Sequence, residues 1–288
     1  MAPKVLISDK LSPAAVQIFK DRGIDVDFQP DVGKDKDKLR EIIGAYDGLA
    51  IRSATKVTEK IIEAADNLKV VARAGIGVDN VDIPKATARG IIVMNTPFGN
   101  AITTAEHAIA MMFAAARQIP AADVSTQAGK WEKSKFMGTE ITSKTLGLIG
   151  CGNIGSIVAE RAIGLKMKVV AFDPFLSPER ASSLGVEKVD LDELLRRADF
   201  LTLHTPLTDK TRNIIDAAAI AKMKDGAFLV NCARGGLVDE QAVREALDSG
   251  KLGGAAFDVF VEEPAKENVL FGAKNFVSTP HLGASTSE

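Results

Sequence analysis

Leu146-Gly147-Leu148-Ile149-Gly150-Cys151-Gly152-Asn153-Ile154-Gly155 decides the fold. An apolar run of strand character enters a G-x-G-x-x-G turn, and a helical stretch follows as far as Gly164. At such a junction the first glycine permits the tight turn, the second lets backbone approach a pyrophosphate, and the third allows helix and strand to pack closely. The helix N-terminus adds unpaired N–H donors for an anion. Gly150, Gly152 and Gly155, with Asn153 and Ile154 between them, are therefore candidate cofactor residues. The next strand-like run, Lys168 to Phe172, ends at Asp173, 18 residues beyond Gly155. A carboxylate there accepts the ribose hydroxyls of NAD and repels a 2′-phosphate, which predicts NAD over NADP. Its duller role is a turn or cap before Pro174.

Outward from this turn, short β-branched runs alternate with helical stretches closed by glycine, the pattern of βα units feeding a mostly parallel sheet. Upstream strands are expected at Lys4 to Ser8, Ile24 to Phe28, Gly48 to Ile51, Val70 to Ala74 and Ile91 to Asn95. A first helix, Ala14 to Arg22, follows the start signal Ser12-Pro13 and stops at Gly23. The breaker-rich Thr96-Pro97-Phe98-Gly99-Asn100 leads into a long helix from Ala101 to about Arg117. Downstream strands are expected at Leu146 to Ile149, Lys168 to Phe172, Phe200 to His204, Phe228 to Asn231, Gly254 to Val259 and Phe276 to Thr279. The expected class is α/β: two Rossmann-like domains with mostly parallel sheets and an active-site cleft between them. Residues 1–99 form one domain and 100–282 the NAD-binding one. Ser285-Thr286-Ser287-Glu288 reads as the capped beginning of a helix that never arrives, so 283–288 is expected to be only the start of a truncated helix returning to the first domain.

Composition narrows the function. With 36 Lys+Arg against 38 Asp+Glu there is no basic surplus, which argues against a nucleic-acid partner. No apolar run approaches the roughly 20 residues that a bilayer demands, and the start lacks a secretory signal, so no membrane association is expected. Cys151 and Cys232 are too few for a disulfide framework and point to a reducing cytoplasm. Three histidines and two cysteines, scattered, make no metal-ligand set.

Arg234, Glu263 and His281 follow strands of the second series, where ligands collect in an open parallel sheet. Asn231-Cys232-Ala233-Arg234-Gly235-Gly236, Asp258-Val259-Phe260-Val261-Glu262-Glu263-Pro264 and Pro280-His281-Leu282-Gly283-Ala284-Ser285-Thr286 resemble the D-2-hydroxyacid dehydrogenase family. The resemblance extends over essentially the whole chain, including Arg52 to Thr58 and Arg73 to Asp82. It implies that His281 is the acid/base, taking the C2 hydroxyl proton while hydride leaves C2 for nicotinamide; an imidazole with an ordinary pKa near ~6.5 suits that task. Glu263 would hold the ring and stabilise its charged form. Arg234 would bind the substrate carboxylate and polarise the C2 oxygen. A carboxylate at Glu263 favours alcohol–ketone chemistry, since formate dehydrogenases of the family carry Gln there.

The same likeness places Thr205, Pro206, Cys232, Ala233, Arg234, Asp258, His281, Gly283 and Ala284 along the NAD site. In the first domain the backbone of Arg73, Gly75, Ile76, Gly77 and Val78 would take a substrate carboxylate, although Ile76 departs from the Thr often found in the family. A phosphate monoester carries roughly −1.5 to −2 charges, more than one cation serves well, so Arg73 is joined by Arg52 beside Ser53. Lys133 and Lys135, beside Trp131, resemble positions by which a partner subunit adds positive charge; a solvated basic loop is the alternative. The likeness is nearest to members that oxidise 3-phospho-D-glycerate to 3-phosphooxypyruvate with NAD, the entry into serine synthesis, and implies a cytoplasmic homodimer. A glyoxylate or hydroxypyruvate reductase is the enzymatic alternative, and an NAD-sensing corepressor-like binding protein the non-enzymatic one. His204 reads as supporting structure and His107 as packed or interfacial.

Overall fold

Ser12 starts the first helix by accepting a hydrogen bond from Ala14 N at 3.2 Å, and Pro13 fills the first turn, where an N–H would lack a helical partner anyway. The same chemistry punctuates the chain. Asp35, Asp82, Ser177, Asp190, Asp216 and Asp239 each accept from a backbone N–H of the helix that follows. Between these starts lie short strands of buried aliphatic residues, and the result is strand–helix alternation.

The computed structural model describes residues 2–287. They divide into two units, one ending at Asn100 and the other beginning at Ala101. The first holds β1 (Lys4–Ile7), α1 (Pro13–Asp21), β2 (Asp25–Phe28), α2 (Lys36–Ile42), β3 (Gly48–Ile51), α3 (Glu59–Glu63), β4 (Val70–Arg73), α4 (Ile83–Ala88) and β5 (Ile92–Asn95). Its strands pair in parallel in the order β2-β1-β3-β4-β5, the flavodoxin-like order. Leu39, Ile43, Ile61, Ile62 and Ala86 pack on the face that carries Leu6, Leu49 and Val71. Val16 and Phe19 of α1 cover Val5, Ile7 and Ala50 on the other face, while Ile92 and Met94 of the edge strand stay exposed.

The second unit begins with α5 (Ala101–Ala116), a left-handed turn at Gln118 and α6 (Ile119–Gln127). It continues through β6 (Thr145–Ile149), α7 (Asn153–Gly164), β7 (Lys168–Phe172), α8 (Pro178–Leu184), β8 (Glu187–Lys188), α9 (Leu191–Arg197) and β9 (Phe200–Leu203). The last elements are α10 (Ala217–Lys222), β10 (Ala227–Asn231), α11 (Glu240–Ser249), β11 (Leu252–Phe257) and β12 (Phe276–Ser278). The seven strands, all parallel, run β12-β11-β10-β9-β6-β7-β8. Reversed, this is the Rossmann order 3-2-1-4-5-6 with a seventh strand added, and its switch point falls between β6 and β9. Phe200 and Phe228 stack inside the sheet at 4.8 Å between ring centroids, and the rest of the core is mostly aliphatic, with Phe257 and Phe260 among it.

The expected elements recur within a residue or two. The two-residue β8 was not anticipated, being too short to carry a period. At the expected start of the truncated helix, the described residues Gly283 to Ser287 are non-helical: Gly283 N is tied back to Asp258, and Ser285 N closes a turn on Leu282 O at 2.8 Å. These residues group with the second unit; Glu288 lies outside the described residues. No helix among those described is long and apolar enough to cross a membrane.

Removing the Phe200 ring deletes the stack against Phe228 and leaves a cavity in the sheet's core. Phe200→Ala is expected to destabilise the second unit by about 3–5 kcal/mol, read from the denaturant midpoint.

Candidate active site

The glycine turn after β6 separates packing from ligand space. Gly150 has φ +90°, and a Cβ there would lie 2.5 Å from His204 O. A Cβ on Gly155 would overlap Gly150 O, so both positions are reserved for glycine by the protein itself. Gly152 is different: its φ is −75°, and a Cβ would meet nothing within 4 Å. No protein atom accounts for the missing side chain, which leaves open space where a ligand could approach the backbone. The helix that begins beside it, α7, has no side-chain cap, and half-buried Ile154 and exposed Asn153 form its first turn. These features suit a pyrophosphate at a helix N-terminus.

Asp173, just past the end of β7, accepts from Cys151 N and from Phe175 N, each at 2.8 Å. It therefore does the turn-holding job that the sequence offered as its duller role. A carboxylate has about four lone-pair sites, so two acceptor positions remain for ribose hydroxyls. The Cys151 thiol is pushed up by burial and by the charge of Asp173. Cys232 is raised further, burial being the main cause; neither sulfur is a thiolate at neutral pH. His204, past the end of β9, has Nε2 3.0 Å from Thr202 Oγ1, and burial pushes its pKa down to about 4. It is neutral scaffolding, with Thr205 and Pro206 in the loop beyond it.

Arg234 is set by Asn231, the buried last residue of β10. Asn231 Nδ2 donates to Arg234 O at 2.9 Å, and its Oδ1 accepts from Ala233 N at 3.1 Å. The guanidinium donates to Ala233 O at 2.6 Å and lies close enough to act electrostatically on Glu263 and His281. A Cβ on Gly235 would overlap Phe260 O, so this turn and the loop carrying Glu263 meet backbone to backbone.

Glu263 Oε1 accepts from Phe260 N at 3.1 Å, and Oε2 lies 2.7 Å from His281 Nδ1. That hydrogen bond raises the His281 pKa above its ordinary value against the opposing effect of burial. Burial would raise Glu263, but His281, Phe260 N–H and the charge of Arg234 together hold it below the usual range. The His281 side chain is 49% exposed, which leaves Nε2 as the nitrogen available to a substrate. Its backbone is left-handed, φ +54°, an uncommon state for a residue with a side chain.

Asp258, expected along the cofactor site, has its carboxylate engaged by groups of the protein itself. At 1% exposure it accepts from Thr279 Oγ1 at 2.5 Å, Leu282 N at 2.7 Å and Gly283 N at 2.8 Å, and His107 Nε2 lies 3.3 Å away. Its carbonyl accepts from His281 N at 2.9 Å. Asp258 thus holds the segment that bears His281, with Ala284 exposed just beyond. Asn231 and Thr279 are the residues that sequence reasoning missed here, while His107, read as packed or interfacial, is packed against Thr279 and Asp258. A polar residue closing a fully buried strand was the available signal for Asn231.

In the first unit, Arg52 and Ser53 are exposed just after β3. Buried Asp9 Oδ2 accepts from Arg52 N and Thr55 N, and Asn80 Nδ2 donates to Arg52 O at 2.8 Å. Arg73, half-buried at the end of β4, lays its guanidinium over Gly75. Thr96 Oγ1 accepts from Gly75 N at 2.9 Å, and Asn95 Nδ2 donates to Ile76 O at 2.6 Å, which fixes the loop through Gly77 and Val78. Lys133 and Lys135 sit exposed on a short 3-10 turn, Lys135 3.5 Å from Glu132.

Residues 109–283 match the family model described as D-isomer specific 2-hydroxyacid dehydrogenase, NAD binding domain. The chain is 50% identical to the D-3-phosphoglycerate dehydrogenase of Synechocystis sp. over 99% of its own length and 51% of the relative's. It is 48% identical to the enzyme of that name from Archaeoglobus fulgidus, over 99% and 54%. It thus spans about half the length of the curated relatives it matches. A crystal structure of a glyoxylate reductase from Paecilomyes thermophila superposes with a TM-score of 0.91 at 32% identity, covering 99% of this chain and 90% of that one.

Gly152→Ala separates the two reasons for glycine in the turn. It is expected to cost the fold no more than about 1 kcal/mol, the scale of a capping preference, and to weaken NADH binding about tenfold, read by fluorescence titration. Gly155→Ala, which overlaps backbone, is expected to lower thermal stability first.

Proposed function

Because the chain belongs to the D-isomer specific 2-hydroxyacid dehydrogenase family, we propose that it oxidises 3-phospho-D-glycerate to 3-phosphooxypyruvate with NAD. The observation that carries this reading is the Glu263–His281 contact at 2.7 Å beside Arg234. It pairs an acid/base with a fixed carboxylate and a cation on one rim of a dinucleotide-type sheet. The names of the relatives from Synechocystis and Archaeoglobus supply the substrate.

Gly150, Gly152, Asn153, Ile154 and Gly155 would hold the pyrophosphate and Asp173 the adenosine ribose. NAD, when bound, accepts the hydride that leaves C2. His281 Nε2 takes the proton of the C2 hydroxyl, so the ring must be neutral for oxidation and protonated for the reverse reduction. Glu263 keeps Nδ1 protonated and the ring oriented. Arg234 engages the substrate carboxylate and draws charge toward the C2 oxygen. Arg52 and Arg73 are assigned to the phosphate, and the Gly75 to Val78 backbone to the carboxylate.

Ile119, Val124, Trp131 and Met137 are exposed within one segment that also holds Lys133 and Lys135. A patch of that kind fits a partner surface, and a homodimer through it is part of the proposal. The free cysteines fit a reducing cytoplasm. The match to a glyoxylate reductase favours unphosphorylated 2-oxoacid reduction as the second reading.

NADH absorbance over a panel of 2-hydroxyacids tests the proposal; no turnover with any member would end it. Arg52→Ala combined with Arg73→Ala is expected to raise KM for 3-phosphoglycerate at least about tenfold while barely changing that for glycerate, because charge-assisted phosphate contacts are lost. Equal effects on both would move phosphate recognition elsewhere. Glu263→Gln removes the largest influence raising His281. The ring then loses its proton at lower pH, so the acidic limb of the kcat/KM profile for oxidation shifts to lower pH. In reduction, the alkaline limb shifts the same way.

A further inference from the structure

His107 lies on α5, with Thr104 one turn before it and Met111 one turn after. These spacings place the three side chains on one helix face, and that face meets the segment bearing His281. A Cβ at Gly283 would lie 3.5 Å from Thr104 Cγ2, and Thr279 Oγ1 lies 3.7 Å from Met111 Sδ. His107 Nε2 is 3.1 Å from Thr279 Oγ1 and 3.3 Å from Asp258 Oδ1. The Thr279 hydroxyl has one hydrogen, and a carboxylate at 2.5 Å takes it in preference to a thioether, a much weaker acceptor. Only lone pairs of Thr279 then face the imidazole. Nε2 must carry a hydrogen, and both of its neighbours are acceptors.

We infer that His107 is a positioning residue: its N–H, given to Thr279 and Asp258, holds the segment from which His281, itself left-handed, projects. This rests on the dehydrogenase reading, in which His281 is the acid/base. Asp258 binds Leu282 N and Gly283 N through its carboxylate and His281 N through its carbonyl. Any tilt of that carboxylate is transmitted to His281 and to its contact with Glu263. The His107 side chain, 19% exposed, is 3.3 Å from a carboxylate that is 1% exposed, so water does not readily replace the donor.

The test compares His107→Phe, which keeps a ring and removes the donor, with His107→Gln, which keeps an N–H donor. His107→Phe is expected to lower kcat about tenfold to a hundredfold, the scale of a small misplacement of a catalytic group, with little change in NADH affinity. His107→Gln is expected to recover most of the loss. Hydrogen exchange at the Leu282 and Gly283 amides gives a reading independent of turnover and is expected to quicken about tenfold in His107→Phe but not in His107→Gln. If His107→Phe does not fold, Thr279→Val breaks the same link from the other side, and the same kcat loss and faster exchange support the inference. Wild-type kcat together with unchanged exchange in the donor-free variant overturns it, as does equal loss in His107→Phe and His107→Gln. If the wild-type protein turns over no 2-hydroxyacid, the dehydrogenase reading falls, and the exchange comparison still decides whether His107 holds the segment.

Discussion

A buried carboxylate must have its lone pairs met, because an uncompensated charge in a protein interior costs several kcal/mol. Asp258 satisfies that requirement with donors from α5, from the end of β12 and from the two residues after His281. Burial alone would push its pKa up, and these donors together hold it below the usual carboxylate range. The segment that carries His281 has little freedom as a consequence. The left-handed backbone at His281 has a cost of order 1–3 kcal/mol, and such a state persists where its surroundings over-determine it.

Comparable logic recurs in the first unit with different residues. Buried Asp9 accepts from the N–H groups of Arg52 and Thr55, while Asn80 donates to the carbonyls of the same two residues. The main chain at Arg52 is clamped from both sides, and its long side chain remains exposed. In both units a polar anchor lies beneath a loop at the strand ends. The chemistry-bearing side chain is displayed from a backbone that the anchor immobilises.

What the sequence made legible follows from how local each signal is. The turn from Gly150 to Gly155, the Ser12-Pro13 helix start and the strand ending at Asp173 are short-range patterns, and they were readable at residue level. Arg234, Glu263 and His281 were readable because they follow strands in motifs shared with a family, although their mutual distances were not. Asp258 was readable as a strand-end residue, but its tie to the loop through Gly283 was not, since that loop is more than twenty residues away in sequence. His107 was readable as packed or interfacial, but its partners were not, for the same reason: Thr279 is 172 positions later. The helix start read at 283–288 was a local cap signal, whereas the tie of Gly283 to Asp258 in the same segment is long-range and was not legible.

The contact between Gly235 and the carbonyl of Phe260 leaves no clearance for even one methyl group. Diversification of this turn is therefore channelled. Insertions or bulkier residues in the turn at Arg234 would pry apart the two loops on which the guanidinium and Glu263 depend, so libraries built there would be dominated by dead variants. The exposed side chains at Arg52 and Ser53 carry no such restriction, and substitution has room to work there.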